Sequence, residues 1–151
     1  MTQSKKPLIV VLVEDDEDYY LLMKEAFART GFSNDLHWIK DGEELMNYLN
    51  GSELSGYAKN DSKPMIILLD LNMPRMNGYQ ALEKMKSDEK LRHIPVIILT
   101  TSKSDEDVVR SYNLGANAFI TKPADFKQLM AMVEAFQNYW LGLVKLPRKG
   151  R

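Results

Sequence analysis

Three short stretches of the chain are apolar at every position: Leu8 to Val13, Met65 to Leu69 and Val96 to Leu99. Continuous apolar runs of this length, rich in β-branched residues, suit strands buried on both faces of a parallel sheet. Ala116 to Ile120 is a shorter candidate, and Leu36 to Ile39 suits an edge strand. Helical spacing fills the intervals. Tyr19, Leu22, Met23, Ala26 and Phe27 share one helix face, with Gly31 placed to stop it. Asp41 and Glu44 resemble a capping box that opens a short helix through Leu45, Tyr48 and Leu49. Gly78 to Met85 predicts a third helix. Ser104 and Asp107 cap a fourth, which Gly115 ends. Asp125 and Gln128 cap a fifth, whose apolar face runs through Phe126, Leu129, Met130, Val133, Phe136, Trp140, Leu143 and Val144. Five β-α repeats predict an open parallel α/β sheet with helices on both faces and right-handed crossovers. The polar stretch Gly51 to Pro64 reads as one long loop. Met23, Met65, Met85, Met130 and Met132 are expected as core filler.

Composition narrows the function classes. The chain has 151 residues, 20 Lys and Arg against 21 Asp and Glu, and a formal net charge of -1. Broad binding to nucleic-acid phosphates needs a clear cationic excess, which is lacking. There is no cysteine, which excludes disulfides, thiolate metal sites and cysteine nucleophiles. His37 and His93 alone make a poor histidine metal site. No apolar run approaches the ~20 residues that span a bilayer, and MTQSKKP does not read as a signal peptide. The expectation is a soluble cytoplasmic domain. The average charge also conceals two poles. Glu14, Asp15, Asp16, Glu17 and Asp18 are consecutive acids, and Arg148, Lys149 and Arg151 close the chain.

In open α/β sheets the site lies beyond the carboxyl ends of the strands. Glu14, Asp15 and Asp16 follow the first strand, and Asp70 follows the third with Leu71, Asn72, Met73 and Pro74. Thr100 ends the fourth, with Thr101 and Ser102 behind it; Thr121, Lys122 and Pro123 follow the fifth. Clustered carboxylates at the low-dielectric edge of a sheet repel one another, so protons or a cation must neutralise them. A hard divalent ion with oxygen ligands fits, and Mg²⁺ is the usual partner of phosphate in such sites. A carboxylate beside Mg²⁺ can attack a phosphoryl group in line, while a Lys ammonium and a hydroxyl share the charge on its oxygens. Asp70, Lys122 and Thr100 supply those groups. For Asp16, Glu17 and Asp18, placement at a helix N-terminus is explanation enough.

The segments V-E-D-D, I-I-L-L-D-L-N-M-P, I-I-L-T-T and F-I-T-K-P, in that order after successive strands, resemble the receiver domain of two-component response regulators. The resemblance covers about residues 7–140, leaving 1–6 as an N-terminal extension and 141–151 as the end of the last helix and a tail. It implies a doubly wound five-stranded parallel sheet, order 2-1-3-4-5, flanked by five helices. It further implies Asp70 as phosphoacceptor from a histidine kinase and Asp15 as a direct Mg²⁺ ligand. Glu14 would act through water, and the backbone carbonyl of Asn72 would complete the protein's ligands. Thr100 would swing toward the phosphoryl group, Lys122 would pair with it, and Phe119 would be the switch aromatic that turns inward. Pro123 would follow a cis peptide bond. Thr101 departs from the very small residue usual in receivers. Its extra atoms would narrow access to Asp70, and Ser102 and Asn72 would tune phosphoryl lifetime.

An aspartate-nucleophile phosphohydrolase is the alternative, but it needs a second Asp two residues after the nucleophile, where this chain has Asn72. A flavodoxin-like cofactor binder would want a hydroxyl- or glycine-rich phosphate cradle where the acids stand. No helix-turn-helix follows the fifth helix, so output by DNA binding is not expected. Output by protein contact is expected, since a chain of this length is nearly all receiver. The apolar segment beyond Asn138 either packs back on its own chain or joins a self-association face. The long loop and this tail are similar to stand-alone response regulators that partner bacterial, especially cyanobacterial, phytochromes. That likeness implies a homodimer through the fourth helix, fifth strand and fifth helix. From the charge balance and the short apolar runs, no nucleic-acid or membrane partner is expected.

Overall fold

The computed structural model describes residues 8–31, 35–51 and 64–146. Five strands, β1 (Ile9–Val13), β2 (Asp35–Ile39), β3 (Met65–Leu69), β4 (Val96–Thr100) and β5 (Ala118–Thr121), form one sheet. All four pairings are parallel and the order is β2-β1-β3-β4-β5, as expected. Of five helices, α1 (Glu17–Arg29), α2 (Gly42–Asn50), α3 (Gly78–Lys86) and α4 (Asp105–Asn113) occupy the four crossovers, and α5 (Phe126–Gly142) follows β5.

Side chains alternate across the sheet and give two cores. Val11, Val13, Ile67, Leu69, Val96 and Ile98 pack with Leu45 and Leu49 of α2 and with Ala81, Leu82 and Met85 of α3. On the other face Val10, Leu12, Ile66, Leu68, Ile97 and Leu99 meet Met23, Ala26 and Phe27 of α1 and Leu129, Val133 and Phe136 of α5. The apolar runs are continuous because both faces are covered. Met23, Met65 and Met85 are buried, and Met130 and Met132 pack partly buried on the second core.

Register carries the strand ends to one edge. Val13 lies level with Ile39 and with Leu69. Leu69 is opposite Ile98, so β4 runs on to Thr100, which pairs with Thr121. The expected caps form at Asp41, Ser104 and Asp125, and Asp16 caps α1. Gly31 past α1 and Gly115 past α4 have φ of 83° and 108°, the left-handed backbone that ends a helix with a glycine. An unforeseen capping box, Asn77 with Gln80, opens α3.

Four expectations need correction. Leu22 is 46% exposed, because the buried stripe of α1 narrows to Met23, Ala26 and Phe27. Leu143 is 79% exposed, because α5 ends at Gly142, whereas Trp140 and Leu146 pack back on the second core. The fifth strand starts at Ala118 rather than Ala116, since Asn117 ties itself to Val96 with both its backbone N–H and its side-chain carbonyl. The Lys122–Pro123 bond is trans. Trans is the lower-energy isomer by about 0.5–1 kcal/mol, and the Lys122 side chain reaches its acidic partners without the cis form. Most of the long loop, residues 52–63, falls outside the described residues.

Candidate functional site

The carboxyl ends of β1, β3 and β5 bring three acids and one base together. The Glu14 N–H donates to Ile39 O at 2.9 Å and the Asp70 N–H to Val13 O at 3.1 Å, so both residues extend the ladder by one step. Side-chain oxygens of Glu14, Asp15 and Asp70 lie within 4.8 Å of one another. Glu14 and Asp70 are buried, at 1% and 6% exposure, while Asp15 faces solvent. Lys122 enters from the far side. Its Nζ is 2.6 Å from Glu14 Oε1 and 3.4 Å from Asp70 Oδ2.

The charges do not balance, with three carboxylates against one ammonium. Burial, reinforced by the Asp70 charge, pushes the Glu14 carboxyl up to about 7 despite Lys122 and the Asp16 N–H. Burial would lower the Lys122 ammonium, but Glu14 and Asp70 outweigh it and hold the pKa above its ordinary value. Such a donor set, all oxygen and anionic with one exposed member, suits a hard divalent cation with retained water.

The other expected residues surround this centre. Thr100 is fully buried, and its Oγ1 accepts from the Ser102 N–H at 3.4 Å. The side chain of Asn72 is exposed, as is Thr101. Phe119 is half-buried against the first core and Pro123 is half-buried. Ser102 turns toward α4, its hydroxyl donating to Asp107 Oδ2 at 2.6 Å. The other oxygen of Asp107 accepts from the Tyr79 hydroxyl, and the Arg110 guanidinium covers the Tyr79 ring at 3.9 Å. A chain of polar contacts thus runs from Thr100 to α3 and α4.

Sequence reasoning missed several supports of the site. Trp38 Nε1–H donates to the Glu14 carbonyl at 2.7 Å, and the Tyr20 ring stacks on that indole at 4.4 Å. Tyr19, expected only as core, lies under Lys122, whose Nζ is 4.3 Å from the ring centroid. Its position one helical turn past the acids was the available signal. The loop after Asp70 is held by Arg75, whose guanidinium pairs with Asp41 and Glu44. Two glycines complete that anchorage. Gly42 N–H donates to Met76 O and Gly78 N–H to Leu71 O, each at 3.0 Å.

Known proteins share this fold and sequence pattern. The sequence pattern of the response regulator receiver domain matches residues 10–134. The probable methanogenesis regulatory protein FilR2 of Methanothrix harundinacea (strain 6Ac) is 39% identical over 145 residues, spanning 96% of this chain and 91% of its own. Response regulator Rcp1 of Synechocystis sp. is 35% identical over 145 residues, spanning 96% and 97%. Its Mn²⁺-bound crystal structure superposes with a TM-score of 0.79 over 93% of this chain and 99% of that one. The phosphorylated cyanobacterial phytochrome response regulator RcpA superposes with a TM-score of 0.81 at 38% identity, over 95% and 99%. An acid cluster at the sheet edge, a lysine reaching into it and a 2-1-3-4-5 sheet therefore have one reading, and the chain belongs to the response regulator receiver family, the phosphorelay proteins of two-component signalling.

Proposed function

We propose that Asp70 is the phosphoacceptor and that the site takes Mg²⁺. The observation that carries this is the position of Lys122 Nζ between Glu14 and Asp70, inside a cluster of three carboxylates. An Asp70 oxygen attacks the phosphorus of a kinase phosphohistidine in line. The P–N bond breaks as the P–O bond forms, and the imidazole leaves with a proton from solvent. Asp15 and Asp70 would hold the ion with the Asn72 carbonyl, and Glu14 through water. Bound there, Mg²⁺ neutralises charge on the phosphoryl oxygens. Lys122 and Thr100 bind the remaining oxygens, Thr100 leaving the Ser102 N–H to do so, and Phe119 follows it inward. Thr101 and Ser102 flank that path.

The protein signals rather than turns over substrates, since Asn72 stands where a phosphohydrolase needs its acid-base Asp. The receiver unit is residues 7–140. No described helix is long and apolar enough to cross a membrane, and a cytoplasmic location suits an ATP-dependent phosphodonor. The kinase is a phytochrome, a reading supported by the similarity to RcpA across nearly the whole chain. Phosphotransfer from such a kinase under red and far-red light tests both parts. Acid-stable, base-labile label is expected on the wild type, dependent on light, and is expected to vanish in Asp70→Asn. Undiminished labelling of that variant overturns the assignment.

Output runs through a second copy of the chain on the α4-β5-α5 face. Val109 and Tyr112, one turn apart on α4, and Tyr139 on α5 are 58%, 49% and 53% exposed, and exposed aromatic and aliphatic groups suit the core of an interface. Sedimentation is expected to show a concentration-dependent dimer that Tyr112→Glu weakens. A monomer at every concentration refutes this.

A further inference from the structure

Tyr19 is the third residue of α1, behind its N-cap Asp16. Helical Cα–Cβ bonds tilt toward the N-terminus, so the ring leans back toward the loop that carries Glu14 and Asp15. There it meets Lys122, with Nζ 4.3 Å from the ring centroid. The same ammonium is 2.6 Å from Glu14 and 3.4 Å from Asp70. Two carboxylates and one aromatic face therefore hold it. The Tyr19 hydroxyl is buried and has no hydrogen-bond partner among the described residues. A buried hydroxyl without a partner costs stability, so the useful part of this residue is the face of its ring. Packing on the second core also involves that ring, but a leucine would serve packing equally.

The lysine has two stations to serve. It now sits closer to Glu14 than to Asp70. A phosphoryl group on Asp70 would draw it across. Its contact with Glu14 is short and directional and is lost in that shift. Attraction to an aromatic face is broad and persists to about 6 Å from the centroid, so it acts at both stations. We infer that Tyr19 is a positioning residue: its ring face is a shelf that keeps the Lys122 ammonium in the site while it exchanges Glu14 for the phosphoryl group. The inference rests on Asp70 being the phosphoacceptor.

Labelling by acetyl phosphate at saturating Mg²⁺, compared among wild type, Tyr19→Phe and Tyr19→Leu, tests it. Tyr19→Phe is expected to label within about twofold of wild type, since only an unpartnered hydroxyl is lost. Tyr19→Leu is expected to label roughly threefold to thirtyfold more slowly. The Mg²⁺ dissociation constant, read from protein fluorescence, should stay the same in all three. Equal rates for Leu and wild type, a Phe variant as slow as Leu, or a parallel loss of Mg²⁺ affinity each overturn the shelf. In the wild type, proton NMR should place the Lys122 ε-methylene upfield of the other lysines by the ring current, and Tyr19→Phe should keep that shift. An unshifted Lys122 signal refutes the inference even if the Leu variant does not fold. Failure of the underlying reading looks different, because Asp70→Asn would then label as well as wild type.

Discussion

Asp41 shows how one buried carboxylate anchors the loop after Asp70. It is 2% exposed. It accepts from the Glu44 N–H at 2.9 Å and from Arg75 Nε at 3.0 Å. Arg75 itself has φ of 63°, a left-handed backbone that costs a non-glycine residue about 1–3 kcal/mol, and the ion pair helps offset that strain. Burial acts to raise the Asp41 pKa, but the Glu44 N–H and the Arg75 guanidinium outweigh it and hold the carboxyl below the usual 3.8. The folded pKa is depressed, so the stability it contributes is complete above the unfolded value and is lost as pH falls through the folded one. Asn caps a helix as well as Asp, so Asp41→Asn removes the charge and spares the cap. The variant is expected to lose about 1–3 kcal/mol at pH 7. The gap from wild type should narrow below about pH 4. Urea unfolding at pH 7 and across pH 4 to 2 checks this, and a gap constant with pH refutes it. From sequence Asp41 was legible only as a cap. Its partner is 34 residues away and reaches it through a backbone conformation that no local pattern announces. Glu14, Asp15, Asp70, Thr100 and Lys122 were legible for the opposite reason. A parallel sheet brings the residues after its strands to one edge, so chain position alone assembles them.

At the scale of elements, α3 is docked by a missing side chain. A Cβ on Gly78 would stand 2.2 Å from the Asp70 carbonyl oxygen and 2.8 Å from Leu71 Cα. Both are backbone atoms of the loop that carries the site, so neither can yield without moving Asp70. Gly78→Ala is therefore expected to destabilise by about 1–3 kcal/mol or more. Gly142→Ala, where a Cβ meets nothing within 4 Å, is expected to be neutral or stabilising by up to about 1 kcal/mol. Urea midpoints of the two variants make the comparison, and equal midpoints refute the docking argument. Hydrophobic spacing and cap residues together located all five helices but could not show this contact, because a glycine at a helix start carries no periodicity. The same limit explains Leu22. Spacing marks residues that share a helix face, yet the width of the stripe that is buried depends on what packs against it. Strand ends were legible to within about two residues, and the late start of β5 came from the Asn117 side chain joining the ladder at Val96.

For the whole molecule, a net charge of -1 describes the average and misses the site. Locally, three carboxylates face one ammonium, and Glu14, the more deeply buried of the two buried acids, is pushed up to about 7. That repulsion weighs against folding whenever the acids are ionised together. The sequence made the acid run visible, but only the register of β1 against β3 shows that Asp70 joins Glu14 and Asp15 while Asp16 turns away to cap α1. A divalent cation that binds the folded site and not the unfolded chain must stabilise the fold. The gain is about 2.7 kcal/mol at a hundredfold excess over the dissociation constant, and each kcal/mol is worth about 2–4 °C of melting temperature in a chain of this size. Adding Mg²⁺ at neutral pH is thus expected to raise the melting temperature by several degrees, EDTA to reverse it, and Asp15→Asn to reduce it. Screening is the competing cause, because added salt of any kind weakens repulsion between exposed charges within the Debye length. It separates cleanly from binding, since NaCl at matched ionic strength screens as well as MgCl₂ but offers no divalent ion. If NaCl gives the same rise, the acids are relieved by screening alone and the metal assignment fails.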